Sequence, residues 1–521
     1  MFKYNLSNKI LIFLFIFLNL IINFNLIFFN SFVNEILMNI IISLIILIFL
    51  LPTFFYYFNH FNYKNIPIVE IILLFFLISY FTIFALGSEF VTKSFFWLVN
   101  EISAEDYKIF LNIFNDPYQF IKIFYYGSIS FLIGYYLLFF YFNNKSNFIL
   151  EKIKYDCNFK DIHIFFLSLI FFFIKLNLFI FPKLLTFNVI NQFKEVILIF
   201  LTICCSHTIF ANKKLILRII SILIIIISFI ISITETGSQI GITLMIISMV
   251  MICWFLKKKI FFLGILLIVF NFYFFQDIKI EYREKISEFS VELRAPITKI
   301  LNFFDLSTKA YKVIQKIDLF ELFEYDNGEK KNIKKLDVAN FQSSNSELDN
   351  KSRVSAARLS MSPVAFNFIL NKYNKGQLNL KNGETYKPLL LFFIPRVLWP
   401  NKPISSFGIE YGITSGISNI DYPTSINLSW ISESFWNFGE YFFIAMFFKG
   451  IILSFLSFLI IFRKNCVLFY SWLATIISLV IAENNFSLMI SPIFFKFIFL
   501  IIIIQIYKLC FVSNEKNKII S

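Results

Sequence analysis

The sequence predicts an all-α polytopic membrane protein with about twelve transmembrane helices. Of its 521 residues, 58% are hydrophobic and 20% are aromatic, whereas an average soluble domain is about half apolar. The apolar residues occur in runs of about 20, the length that spans a bilayer as a helix. Lys and Arg residues lie mainly in the loops between these runs. Together these observations exclude an ordinary soluble globular protein.

The apolar runs place the predicted spans at residues 10–29, 36–58, 67–87, 120–142, 162–181, 196–211, 215–234, 239–256, 259–276, 438–462, 466–483 and 489–511. The first run lacks an A-x-A cleavage site and is therefore a span rather than a signal peptide. Loop charges orient the chain, because cytoplasmic loops are enriched in Lys and Arg. Cations such as Lys213, Lys214 and Lys258 fall in inner loops if both termini are cytoplasmic. The net charge of +14 then reflects membrane orientation, and nucleic-acid binding is not predicted.

The spans divide the chain into three predicted parts. Residues 1–276 form an N-terminal membrane domain of about nine helices, and residues 438–521 form a C-terminal membrane domain of about three helices with a cytoplasmic tail. Between them, residues 277–437 form one large extracytoplasmic loop. Its apolar segment 389–399 would be about 17 Å long as a helix, too short for a hydrocarbon core of about 30 Å. This segment is predicted to lie in the outer interface, or to dip into the membrane and return.

The stretch IPRVLWPNKP, residues 394–403, contains the first candidate site residue, Arg396. Its backbone is constrained by Pro395 and Pro400, because proline fixes φ, and Trp399 is a typical headgroup-level anchor. A guanidinium held at this depth matches the geometry of a phosphate group. Arg396 is therefore predicted to bind phosphate, the alternative being an ordinary solvated charge.

Glu433 and Lys175 stand out because their surroundings are apolar. Glu433 lies between Trp430 and Trp436, a setting that favours a carboxylate able to act as a general base. The alternative is a solvated carboxylate at a helix start, stabilised by the helix dipole. Lys175 lies inside the span 162–181, where ionisable residues are functional candidates, although its side chain can also snorkel outward.

No metal site and no cofactor is predicted. The six cysteines lack metal-ligand spacing. The three histidines, His60, His163 and His207, all lie outside the large loop, so neither a Ser-His-Asp arrangement nor a His-based metal site can form there. No glycine-rich nucleotide-binding loop is present.

Three segments of the large loop carry a resemblance to a known family: RLSMSPVAFNFILNKY, GETYKPLLLFFIPRVLWPNKP and TSINLSWISESFWNFGEY. They resemble the Wzy-like polysaccharide polymerases, the O-antigen polymerase family. The resemblance is dense over residues 353–441, and its most specific element is Pro-Arg-x-x-Trp-Pro-x-Lys-Pro. Elsewhere it consists of the hydropathy layout alone.

The resemblance implies a GT-C-like glycosyltransferase that joins undecaprenyl-pyrophosphate-linked oligosaccharide repeat units at the outer face of the bacterial inner membrane. Arg396 and Glu433 would then be the catalytic residues, with Glu433 as the base. The substrate-binding residues would be Arg353, Arg358, Lys402, Tyr386 and Lys175. Besides membrane lipids, a chain-length regulator and a flippase are candidate partners.

Two other functions stay open from the sequence. One is an O-antigen ligase, although those enzymes commonly carry a His in the outer loop, which this chain lacks. The other is a transporter of lipid-linked oligosaccharide, although transporters often show internal repeats and polar residues at mid-membrane. The spans here are mostly apolar and show no repeat. A polymerase is the preferred prediction.

Overall fold

A computed structural model gives the fold. It describes residues 13–23, 35–59, 66–86, 117–144, 159–181, 188–236, 239–256, 264, 362–390, 407–418, 425–426, 428–462, 464–479 and 485–512. Within these ranges the chain is almost entirely helical and contains no extended strand. The all-α prediction is therefore confirmed for the described part of the chain.

The helices are numbered here in chain order. Those of the N-terminal half are α1 Phe13–Asn23, α2 Glu35–Asn59, α3 Ile68–Leu86, α4 Pro117–Asn144, α5 Asp161–Ile180, α6 Asn188–Ala211, α7 Leu215–Thr236 and α8 Gln239–Phe255. Those of the C-terminal half are α9 362–374, α10 Lys387–Leu390, α11 Gly408–Ser415, α12 Trp430–Phe438, α13 Phe442–Phe458, α14 Val467–Ile477, α15 Phe486–Ile490 and α16 Ile493–Tyr507. Short 3-10 turns lie at Glu384–Tyr386 and Gly439–Tyr441, and a π turn at Lys508–Val512 follows α16.

A helix lies at each predicted span except 259–276, of which only residue 264 is described. Among the described residues, six helical segments are long and apolar enough to cross a membrane. These lie at Gln119–Phe139, Asp161–Ile180, Phe193–Ala211, Leu215–Ser232, Trp430–Phe458 and Phe486–Phe511. Hydropathy therefore located the helices well, because a backbone in hydrocarbon must satisfy its own hydrogen bonds and does so as a helix.

The chain forms two compact units. The first contains Met1–Leu167 and Ala356–Ser521, and the second contains Ser168–Ser355. In the second unit, α6, α7 and α8 pack on one another. In the first, the most extensive helix pairing joins α4 to α13, and α12 packs on α13.

Glycine allows the close approach of α4 and α13. A Cβ atom at Gly134 on α4 would collide with the carbonyl oxygen of Phe447, and one at Gly450 on α13 would collide with the carbonyl oxygen of Phe131. Small residues at such crossings let two helix backbones approach closely in a membrane. The crossing fixes α13, and α13 carries one half of the candidate site.

Candidate functional site

The candidate site is built on a hairpin formed by α12 and α13. Glu433 on α12 and Lys449 on α13 are 16 positions apart, which is about 24 Å along a continuous helix and beyond the reach of two side chains. They meet because the 3-10 turn Gly439–Tyr441 separates the two helices. Gly439 has φ of +52° and ψ of −124°, a conformation that glycine adopts without steric cost. This turn folds α12 back alongside α13.

Glu433 and Lys449 form a buried ion pair. Lys449 Nζ lies 2.9 Å from Glu433 Oε2, and the two side chains are 2% and 0% exposed, respectively. Lys449 also donates to the carbonyl of Trp430 at 2.8 Å. The second partner of Glu433 Oε2 is the backbone N–H of Phe486, at 2.9 Å. Both charges are thus surrounded by partners, as buried charges must be to avoid a large desolvation cost.

The start of α12 is fixed by hydroxyl groups. Ser429 is the N-cap, and its side chain accepts the backbone N–H of Ser432 at 3.4 Å. Tyr80 of α3 hydrogen-bonds both the Ser429 and the Ser432 hydroxyls. Glu433 therefore lies in the first turn of α12, where the helix dipole stabilises a negative charge. Its carboxylate is buried there rather than solvated.

A short segment, residues 381–386, lies against the end of α12 and is called the strap below. Its first two N–H groups donate to the carbonyls of Trp436 and Asn437, each at 3.0 Å. The next N–H group, that of Gly383, donates to Asn437 Oδ1 at 3.0 Å. Asn382 and Gly383 have φ of +47° and +84°, and Asn and Gly tolerate the left-handed region better than other residues. The sequence Asn-Gly thus lets the strap turn sharply onto α12.

Thr385 connects the strap to the ion pair. Its hydroxyl donates to Glu433 Oε1 at 3.1 Å and accepts from Asn437 Nδ2 at 2.8 Å. The carbonyl of Thr385 accepts the hydroxyl of Ser487, at the start of α15. The Glu433 carboxylate therefore binds groups from the strap, from α13 and from α15 at once.

Tyr386, a predicted substrate-binding residue, is half-buried beside the ion pair. Its ring stacks on Phe438 with centroids 5.9 Å apart, and Lys449 Nζ lies 5.1 Å from the ring centroid. Its hydroxyl lies 3.3 Å from the Ser434 hydroxyl. Burial, reinforced by the negative charge of Glu433, raises the pKa of Tyr386 well above its usual range. The phenol is therefore a neutral hydrogen-bonding group.

A second, more exposed ion-pair network involves the strap residues Lys381 and Glu384. Lys381 pairs with Glu410 of α11 and, at 3.4 Å, with Glu384. The two carboxylate side chains are about half exposed, and Lys381 lies 5.3 Å from the ring centroid of Trp436. Burial lowers the pKa of Lys381, but the hydrogen bond and charge of Glu410 and the charge of Glu384 outweigh it, so the pKa lies above its usual value.

The structure brings two predicted site residues, Tyr386 and Glu433, into one cluster. Lys175 is buried in α5, in the segment that belongs to the second compact unit. The other predicted site residues lie outside the described part of the chain: Arg353, Arg358, Arg396 and Lys402. Sequence reasoning missed Lys449, although a lysine inside an apolar span is itself a functional signal.

Among the described residues, no group of three or more His, Cys, Asp or Glu side chains is placed to hold a metal ion. Comparison of the chain with protein-family models, with curated proteins and with solved structures finds no match.

Proposed function

We propose that this chain is a membrane glycosyltransferase that polymerises lipid-pyrophosphate-linked oligosaccharide repeat units into a surface polysaccharide at the outer face of the bacterial cytoplasmic membrane. One structural observation carries the proposal. The Gly-x-Thr-Tyr element and the segment around α12, two parts of the family-like region, are joined by direct hydrogen bonds between residues about 50 positions apart. Motifs that are distant in sequence and meet in one polar cluster are typical of a functional site.

The proposed chemistry assigns Arg396 to the leaving group. A lipid pyrophosphate leaves readily when fixed cations meet the charge that develops on it. Arg396 follows the strap and α10 closely in sequence, and Arg353, Arg358 and Lys402 supply further positive charge in the proposal. Tyr386 and Lys175 are further substrate-binding residues in the proposal. The enzyme would be of the GT-C-like type, with undecaprenyl-pyrophosphate-linked oligosaccharide as its substrate and a chain-length regulator and a flippase as its partners.

Glu433 has one of two roles in the proposed reaction. As a general base it would accept a proton from the acceptor hydroxyl, which requires a free lone pair within hydrogen-bond reach of that hydroxyl. Its Oε2 atom already accepts two N–H groups, and its Oε1 atom accepts the Thr385 hydroxyl. These contacts favour the second role, in which Glu433 holds the strap in place while another group takes the proton.

Arg396 provides the decisive test. Lipid-linked repeat units from source cells lacking this gene would be added to liposomes containing the purified full-length protein, and product length would be followed by gel electrophoresis. Wild-type protein should give a ladder of polymer, and Arg396→Ala should slow chain growth by about 10²–10³-fold, the usual cost of one fixed charge-stabilising donor. Arg396→Lys should recover part of the loss, because lysine keeps the charge but not the bidentate geometry.

Lys375→Ala is the matched control, because Lys375 is an exposed cation just after α9 and should leave the ladder unchanged. A wild-type ladder from Arg396→Ala would remove the arginine from the mechanism. Transfer of finished glycan to a different acceptor would indicate a ligase. Movement of the lipid-linked unit across the bilayer without chain growth would indicate a transporter.

A further inference from the structure

Lys449 lies at the centre of the site, and the groups around its ammonium all belong to the protein. Its side chain is 2% exposed, and its ammonium contacts the Trp430 carbonyl and Glu433 Oε2. The rings of Tyr386 and Phe486 have centroids 5.1 and 5.3 Å from Nζ, which places the cation at a favourable distance from both π faces. Two of the three N–H donors of the ammonium are therefore hydrogen-bonded within the protein, and two aromatic rings lie beside it.

This lysine and its partners belong to four different segments. Trp430 and Glu433 lie on α12, Lys449 itself on α13, Tyr386 on the strap, and Phe486 at the start of α15. Glu433 links Lys449 to the strap and to α15, since its carboxylate also accepts the Phe486 N–H and the Thr385 hydroxyl. One ammonium thus fixes the carboxylate that holds the strap.

We infer that Lys449 is a positioning residue: it holds the Glu433 carboxylate in its orientation, and Glu433 in turn holds the strap against α12. The seating of the strap follows from the contacts alone. The further consequence, that an unseated strap slows chain growth, rests on the proposed function.

Glu433 and Lys449 therefore act together as one functional unit. Lys449→Met leaves the carboxylate buried without its counter-charge, which strongly destabilises a buried pair. Glu433→Gln together with Lys449→Met removes both charges and keeps an acceptor oxygen at position 433 for Thr385 or Phe486. The Trp430 carbonyl also keeps a partner in the double variant, because it accepts the Ser434 hydroxyl at 2.8 Å. The double variant should therefore hold the strap better than the single one.

Hydrogen exchange measured by mass spectrometry on the detergent-purified full chain tests this directly. The N–H groups of strap residues 381–383 are bonded to Trp436 and Asn437, so they exchange slowly while the strap is seated. In Lys449→Met they should exchange at least about tenfold faster, whereas in the double variant they should return to within about threefold of wild type. Amides of α14 should be unaffected in both.

Lys496→Met is the matched control, because Lys496 is another lysine buried in an apolar helix of the same unit, and its loss should leave strap exchange unchanged. Wild-type strap exchange in Lys449→Met would overturn the inference, as would a double variant whose strap exchanges as fast as that of the single variant. If Lys449→Met does not fold, Glu433→Gln, which leaves the ammonium without its counter-charge, takes its place in the same comparison. Chain growth measured on the same proteins separates the two proposals: a strap response without any chain growth in wild type overturns the polymerase proposal alone.

Discussion

Helix α7 in one compact unit and the α12–α13 hairpin in the other are both apolar. They differ in the side chains that they bury. The span at Leu215–Ser232 in α7 is only 28% buried and exposes Ile219, Leu223 and Ile226. In the segment Trp430–Phe458, half of the most apolar 18-residue window is buried, and the buried residues of the whole segment include Glu433, Asn437 and Lys449. Both segments are long and apolar enough to be candidate membrane spans. A lipid-facing helix needs only an apolar surface, whereas polar groups inside a span must be satisfied by neighbouring protein.

The largest effect should come from reversing the ion pair of the hairpin. Glu433→Lys with Lys449→Glu keeps the net charge but places an ammonium beside the Phe486 N–H and a carboxylate beside the Trp430 carbonyl. We expect the free energy of unfolding in detergent to fall by about 2–5 kcal/mol, because buried groups lose their partners. Ile226→Ala on the exposed side of α7 should change it by no more than about 0.5 kcal/mol. Equal stability of the reversed and native pairs would show that charge balance alone matters in the hairpin.

Glu433 and Tyr386 were selected from the sequence because each carries a local signal: an aromatic, apolar setting for the first and a motif for the second. The partnership of Glu433 with Lys449 was not predicted, since positions 16 apart point away from each other on a straight helix. The pairing depends on the turn at Gly439, where a glycine after Asn-Phe could have been recognised as a helix break. The predicted span 438–462 begins beside this glycine, so Glu433 was assigned to the loop and Lys449 to the span.

The helix positions were more predictable than the contacts between helices. An apolar run of bilayer length has few structural options, so hydropathy was sufficient to locate α5, α7 and α16. The strap was not predicted, because its position depends on the hydrogen bond that Gly383 donates to Asn437 and the one that Ser487 donates to Thr385 rather than on its own periodicity. Such long-range polar contacts leave no regular pattern in one sequence.

An intermediate effect is expected at the crossing of α4 and α13. Gly→Ala normally stabilises a helix by about 1 kcal/mol, but a Cβ at Gly450 would collide with the carbonyl of Phe131. Gly450→Ala should therefore reverse the usual sign and destabilise the protein by about 1–3 kcal/mol, measured by thermal unfolding in detergent.

Gly127→Ala on α4 is the control for that substitution. The nearest atoms to its Cβ are side-chain carbons of Phe442 and Ile431, at 3.0 and 3.6 Å, and these can shift where a backbone carbonyl cannot. Its cost should be clearly smaller than that of Gly450→Ala. A stabilising Gly450→Ala would mean that the two helices are not held at this close distance.

The smallest effect should appear at the exposed ion pair of Lys381 and Glu410, which contrasts with the buried pair only a few residues away. Exposed pairs contribute about 0–1 kcal/mol and weaken with salt, so Glu410→Gln should lower the free energy of unfolding by no more than that at neutral pH. Because the pKa of Lys381 is raised in the folded protein, this contribution is fully present below the unfolded pKa of about 10.4 and is lost as the pH rises through the folded value. The difference between wild type and Glu410→Gln, measured by thermal unfolding, should shrink at high ionic strength and disappear in strong alkali. A difference that survives both conditions would mean that Glu410 stabilises the strap through packing rather than through its charge.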